Sequence, residues 1–447
     1  MSFDGASNMQ GINKGVVTHL KHCSPMAINI YCGSHGTNLV MKACAKSSVV
    51  SVNLFGTENK PGDVQKLKTF LYGNSRKRNN IFEKCKSLLE DVNQSLELAA
   101  THSVRFSALQ NATDRLLTLY PAVIDCLEQI SNDMEFKMNV RSEAQGLLSR
   151  FQSYETIVTL CLFKEIFTIL GSLNKILQGE TLDFSIAIMS VDVSLEKLQV
   201  LRDSSGKNVI LSAVKIATEA QLEQLTFVEK RTRRKKRLGF DETDDERLTQ
   251  AEDQWLAEVF YTVVDSATAV LDDKFSSQRK FLESIDIFLL KNMSEDISHN
   301  FHNSNSQEKI QSVLEKFKIC ISLNEFTTEM IDFVEIYRKA AEKDNKTLHS
   351  FLTIYNFMLR TMLDAVFPSV AVIYKIFSTI PTNSAECERV FSKLKLVKTL
   401  LANRLTSEHV GDRVLLSVEH EKMWNLTHSD LIKNYADTNE LRNILYP

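Results

Sequence analysis

Apolar residues recur every three or four positions along most of this chain, which is the spacing of one face of an α-helix. The clearest stripe steps by four, three, four and three residues through Phe184, Ile188, Val191, Leu195 and Leu198. Similar spacing predicts helices over 81–100, 151–177 and 211–225, and it resumes over 248–377. Such stripes are ordinarily core packing, so the pattern predicts a mainly α protein with a large all-helical region at 60–375.

Residues 1–50 follow a different pattern, in which a short β-prone run stands between two helical segments. The run 27–32 predicts a strand, while 13–20 and 37–43 predict helices before and after it. Asp4 is expected at the end of a preceding first strand. Together these elements predict a small α/β segment.

The C-terminal residues 376–447 predict two amphipathic helices, the second beginning near Ser407. Asn383 is expected to cap the first helix, with Glu386 three residues on as in a capping box. Each helix carries an apolar stripe, formed by Val390, Leu394 and Val397 in the first and by Val410, Val414 and Val418 in the second.

The composition agrees with a helical chain, and the net charge limits how the chain could bind nucleic acid. Only 14 Gly and 6 Pro occur among 447 residues, and both residue types disrupt helices. Hydrophobic residues make up 43% and charged residues 24%, as in ordinary globular proteins. Because the formal net charge is −3, any contact with nucleic acid has to come from a local basic patch.

One dense basic run exists, at 230–237, and an acidic run follows it at 241–246. Opposite charges this close predict an exposed loop at about 230–247. The candidates for nuclear import or phosphate contact are Arg233, Arg234, Lys235, Lys236 and Arg237. A solvated loop with neither role is an equally good interpretation, since the acidic run weakens attraction to DNA at a distance.

Several classes of site are not indicated. The 8 cysteines include no C-x-x-C pair, and Cys32 with His35 has the spacing of only half a zinc site. The pair His299 and His302 is similarly isolated. No charged-then-apolar leader and no run of about 18 apolar residues is seen, so we expect an intracellular protein with free thiols, no membrane and no small-molecule substrate.

The C-terminal segment carries a recognisable motif. Residues 383–392 read NSAECERVFS, and residues 403–410 read NRLTSEHV. They resemble the C-terminal motif of hAT-superfamily transposases, in which Ser-Ala-x-x-Glu-Arg-x-Phe-Ser is followed by Asn-Arg-Leu and an apolar helix. The resemblance implies that 376–447 is a dimerisation region.

The N-terminus resembles the same family. Residues 4–9 read DGASNM, as in the block that carries the family's second catalytic aspartate, and residues 31–39 read YCGSHGTNL, as in the next block. Thr37 departs from the Leu that is usual there. The middle of the chain, at 235–271, is similar to zinc finger MYM-type proteins derived from hAT elements.

This resemblance implies an RNase H-like α/β core that is truncated. Residues 1–50 would be its second half, 60–375 a helical insertion, and 376–447 the return to the core. Phosphoryl transfer on this fold uses three carboxylates around two Mg²⁺ ions. Asp4 would be the second carboxylate and Glu388 the third, whereas the residues alone indicate a turn aspartate and a surface glutamate.

The family's first aspartate and zinc finger would lie before the block that opens this sequence. We therefore expect a transposase-derived, non-catalytic nuclear protein that forms a homodimer and has no cofactor. One alternative is the distal part of an active, Mg²⁺-dependent hAT transposase that cleaves and joins DNA. Another is a helical nuclear adaptor that binds chromatin proteins.

Overall fold

The computed structural model describes residues 1–73, 75–89, 93, 95–101, 108–179, 182–229, 250–290, 296–344, 350–398, 404–425, 427, 429 and 431–434. They divide into two compact units, 1–383 and 384–447. The protein is mainly helical, as the apolar spacing predicts.

A two-stranded parallel sheet opens the larger unit. Strand β1 (Ser2–Phe3) pairs with β2 (Ile30–Tyr31), so that Ser2 lies opposite Ile30 and Phe3 opposite Tyr31. The elements that connect and follow them are α1 (Ser7–Gln10), α2 (Val16–Cys23), α3 (Gly33–Cys44), α4 (Val49–Phe55), β3 (Gly56–Thr57), β4 (Lys60–Pro61), α5 (Asp63–Tyr72) and α6 (Arg76–Ser87). The predicted α/β segment is therefore present, and the antiparallel pair β3–β4 follows it.

The rest of the larger unit is helical. Its first half contains α7 (Ala108–Thr118), α8 (Tyr120–Asn132), α9 (Met138–Phe151), α10 (Tyr154–Leu177), α11 (Phe184–Asp203) and α12 (Lys207–Glu219). Its second half contains α13 (Ala251–Trp255), a π-helical turn (Leu256–Tyr261), α14 (Thr262–Ile285), a 3₁₀ turn (Asp286–Leu289), α15 (Ile297–His302), α16 (Ser304–Phe317), α17 (Leu323–Asp344), α18 (Phe351–Thr361), α19 (Leu363–Val366) and α20 (Pro368–Ser378).

Helix α10 is the centre of the hydrophobic core. It packs against α3, α4, α7, α9, α11 and α12. By length and composition alone it is apolar enough to cross a membrane, although 61% of its most apolar stretch is buried inside the protein. The core around it explains why nearly every face of this helix is apolar.

Helix α14 connects the helical region to the parallel sheet. It packs against α3, α11, α16 and β2. Its side chain Gln278 is buried and donates from Nε2 to the carbonyl oxygen of Tyr31 at 2.7 Å. A two-stranded sheet is marginal without packing partners, and this helix supplies one.

Two predicted helix boundaries are wrong. The helix expected over 81–100 ends at Ser87, and the described residues beyond it are held by side chains instead: Lys86 Nζ donates to the carbonyl of Leu96, and the amide of Leu98 donates to the Tyr72 hydroxyl. The helix expected over 211–225 ends at Glu219. Gln221 has a positive φ of 52°, and the Leu222 amide closes the helix onto the Ala217 carbonyl.

The C-terminal unit contains α21 (Ala385–Val397), α22 (Ser407–Val418) and α23 (His420–Trp424). Helix α22 begins at Ser407 as predicted, and its N-cap Thr406 accepts the His409 amide. The predicted capping box of α21 is wrong, because Ser384 is the N-cap residue and makes no side-chain cap hydrogen bond. Asn383 instead donates from Nδ2 to the carbonyl of Leu177 at the end of α10, at 2.5 Å.

Candidate functional site

Asp4 lies directly after β1, at the carboxyl end of a strand in a parallel sheet. Its side chain is half-buried, and Oδ1 accepts the backbone N–H of Ala6 at 3.1 Å. This hydrogen bond is that of an Asx turn, which is the ordinary role of an aspartate at a strand end. The carboxylate keeps acceptor capacity on its other oxygen.

Tyr31, at the end of the neighbouring strand β2, lies beside the segment that carries Asp4 and Gly5. Burial, and then the nearby Cys32 and Asp4, raise the pKa of Tyr31 to about 12. A Cβ on Gly5 would stand 2.5 Å from the Tyr31 hydroxyl oxygen, so any larger residue here would force the Tyr31 ring to shift. Sequence reasoning did not single out Gly5 or Gln278, because their roles depend on contacts with Tyr31.

The described residues around Asp4 do not supply a magnesium site. In the described ranges no group of three or more His, Cys, Asp or Glu side chains could hold a metal ion. Glu388 lies on α21 in the other compact unit, and its side chain is outside the described part of the chain. The predicted pairing of Asp4 with Glu388 around Mg²⁺ therefore lies outside the described part of the chain and stays a prediction.

The other two ligand-like pairs are also not metal sites in the described structure. Cys32 is fully buried at the N-cap of α3, and the His35 ring lies edge-on to Tyr31 with centroids 6.0 Å apart. His299 and His302 lie in the last turn of α15. The predicted loop at 230–247, including Arg233 to Arg237, lies outside the described residues.

The predicted dimerisation stripes lie on α21 and α22, which pack against each other. All six stripe residues are half-buried: Val390, Leu394, Val397, Val410, Val414 and Val418. This is the burial expected of residues along the seam of a two-helix hairpin, where each side chain is covered from one side. Part of the surface predicted for a second copy is therefore accounted for within one chain.

A second apolar set in this unit is exposed. Its members are Phe391, Leu396, Leu415, Leu416, Met423, Trp424, Leu431 and Ile432. Of the residues described between 384 and 434, none with a described side chain is fully buried. Sequence reasoning missed these residues because it assigned one stripe to each helix, although Leu415 and Leu416 directly follow Val414.

Comparison with curated proteins gives a distant relative. The chain is 21% identical over 440 residues to the human protein described as "52 kDa repressor of the inhibitor of the protein kinase". The match covers 96% of this chain and 54% of the human protein, so the chain spans about half the length of the curated relative it matches. No family model matches the chain, and no solved structure matches it.

Proposed function

We propose that this chain is a transposase-derived, non-catalytic protein that forms a homodimer through its C-terminal unit, 384–447. The observation that carries the proposal is the burial in that unit: eight large apolar side chains are exposed, and none of those described is fully buried. A helical hairpin without a buried core gains little hydrophobic stabilisation by itself. A partner surface would supply it.

The exposed side chains suit a protein interface. Trp424 is 84% exposed and Phe391 65%. Each aromatic side chain of this kind can bury roughly 150–250 Å², against about 800 Å² per partner in a standard interface. Large apolar side chains that are exposed in such number within one small unit are typical of interaction sites. A second copy is the occupant we infer, because the motif at 383–410 resembles the hAT dimerisation region.

Resemblance also supports the rest of the proposal. An RNase H-like ancestry agrees with β1, β2 and α3 in the order expected for the second half of that core. The distant human relative is named as a repressor. We propose a nuclear location and a regulatory role on these grounds.

Light scattering after size-exclusion chromatography at micromolar concentration tests the proposal. We expect a mass of twice 50.8 kDa that falls toward the monomer on dilution. Leu415→Asp should give a monomer, whereas Leu211→Asp, at a 67% exposed position on α12, should not. A strict monomer at all concentrations, or equal effects of the two variants, contradicts the proposal.

The position of Asp4 at the carboxyl end of a parallel strand favours one second candidate, the distal part of an active hAT transposase. Nicking or hairpin formation on hAT terminal repeats with Mg²⁺ or Mn²⁺ tests it. Robust activity that is lost in both Asp4→Asn and Glu388→Gln would replace the non-catalytic proposal. We expect no activity from the chain itself.

A further inference from the structure

A small cavity lies between the beginning of α10 and helix α13, far in sequence from the hAT-like motifs at 4–39 and 383–410. Its volume is about 120 Å³, against the roughly 30 Å³ that one water occupies in the liquid. Three aromatic residues line it, Tyr154, Phe227 and Trp255, together with Glu155 and Glu258. The cavity therefore has room for a compact group of several heavy atoms.

The aromatic side chains are fixed in place. The rings of Tyr154 and Phe227 meet edge to face with centroids 5.1 Å apart, and those of Phe227 and Trp255 are 5.5 Å apart. Trp255 is only 2% exposed, and its Nε1 donates to Thr159 Oγ1 at 3.0 Å. Because the indole N–H is already satisfied inside the protein, it is not a donor for a ligand in the cavity.

The charge of the lining is negative. Of the residues that the structure describes, Glu155 and Glu258 line the cavity and no Lys, Arg or His does. Among the described residues no basic side chain forms an ion pair with Glu258. Burial, followed by the charge of Glu252, raises the pKa of Tyr154. The positive end of the α10 dipole opposes a bound cation, and Glu155 in its first turn offsets that effect.

From this lining we infer that the cavity binds a methylated ammonium group. Aromatic faces attract cations through the ring quadrupole, and carboxylates add charge. A methylated ammonium is compact, permanently charged when quaternary and weakly hydrated, so it loses little hydration on entering an aromatic cavity. An anion would meet two carboxylates there. The same group occurs on methylated lysine side chains of proteins and on choline-like small molecules.

Tryptophan fluorescence gives a direct test with the 447-residue chain. The sequence has 2 Trp residues, so Trp424→Phe leaves Trp255 as the only reporter. We expect tetramethylammonium chloride to change its emission saturably, while sodium chloride at the same ionic strength does not. Choline should bind at least about fivefold more tightly than its neutral carbon isostere, dimethylbutanol, because only choline gains the cation–π interaction.

Variants locate the binding. Glu258→Gln and Phe227→Leu, made in the same background, should each weaken tetramethylammonium about five- to tenfold. Glu196→Gln makes the same charge change at an exposed position on α11 and should have no effect. Circular dichroism checks that each variant keeps its helices. No saturable response, equal binding of choline and dimethylbutanol, or loss of binding in Glu196→Gln as large as in Glu258→Gln would overturn the inference.

Two further titrations separate the sources of the group. A peptide with trimethyl-lysine that binds more tightly than choline, and more tightly than its unmethylated form, identifies a modified protein tail. The reverse order identifies a small quaternary ammonium compound. This inference is independent of the dimer, since Leu415→Asp should leave the response of Trp255 unchanged.

Discussion

Gln278 donates its side-chain amide to the main-chain carbonyl of Tyr31 at 2.7 Å, which joins two residues 247 positions apart. Gln278 lies on α14 and Tyr31 at the end of β2, so the bond links the helical region to the parallel sheet. The Tyr31 carbonyl belongs to a strand of the two-stranded sheet, and the helical region supplies its partner.

We expect Gln278→Ala to lower the free energy of unfolding by about 1–3 kcal/mol, because the Tyr31 carbonyl loses its donor in a part-buried position. Urea denaturation followed by circular dichroism measures it. The control is Gln199→Ala, at an exposed position on α11, for which a change within about 0.5 kcal/mol is expected. Equal losses in the two variants would show that the bond to Tyr31 is not the cause.

Trp255 offers a second test of the core. Thr159→Val removes the hydroxyl that accepts the buried indole N–H, and we expect a loss of about 1–3 kcal/mol. Thr159→Ser keeps the hydroxyl and should cost less. Both variants are compared by denaturation with tryptophan fluorescence as the probe. A valine variant as stable as the serine variant would contradict the hydrogen bond.

Alkaline pH is expected to destabilise the protein partly through Tyr31. Its pKa in the folded chain is about 12, above the ordinary value of 10.0, so the unfolded chain loses the proton first. The contribution of the Tyr31 hydroxyl to the free energy of unfolding is fully present below pH 10 and is lost as the pH rises toward 12. Tyr31→Phe should flatten this fall in urea-denaturation curves. Part of the fall should remain in this variant, because the pKa of Tyr72 is also raised to about 12.

Thiol accessibility tests the packing of the larger unit. Cys23 and Cys320 are exposed, whereas Cys32, Cys44, Cys85, Cys126 and Cys161 are buried. Burial raises the pKa of the Cys44 thiol to about 12, which further reduces its thiolate. Iodoacetamide on the native protein should label the exposed pair at least about tenfold faster, as read by mass spectrometry. Uniform labelling of all described thiols would contradict this core.

Substitutions at two adjacent residues of α22 distinguish the contact between α21 and α22 from the proposed contact between two copies. Val414 is half-buried and Leu415 is 61% exposed. Val414→Asp should loosen the pairing of α21 with α22, seen as faster hydrogen exchange in both helices. Leu415→Asp should leave that exchange at the level of the diluted wild-type monomer and abolish only the dimer. If Leu415→Asp speeds hydrogen exchange in both helices and Val414→Asp abolishes only the dimer, then Leu415 and not Val414 forms the contact between α21 and α22.

The predictions that succeeded depend on local pattern. The stripe from Phe184 to Leu198 forms α11, and the run 27–32 contains β2, because spacing and β-branching act within a few residues. The helix ends were less predictable. The ends of α6 and α12 depend on side chains such as Lys86 and on the positive φ of Gln221, which no periodicity records.

By itself the sequence determined the helical class, the small α/β segment with Asp4 at a strand end, and the two C-terminal amphipathic helices. Each follows from the type and spacing of neighbouring residues. Only the tertiary structure decided which groups meet: Gln278 with Tyr31, Asn383 with Leu177, and Tyr154 and Trp255 around one cavity. These contacts join residues about 100 to 250 positions apart, where the packing of many helices together, and not local preference, sets the geometry.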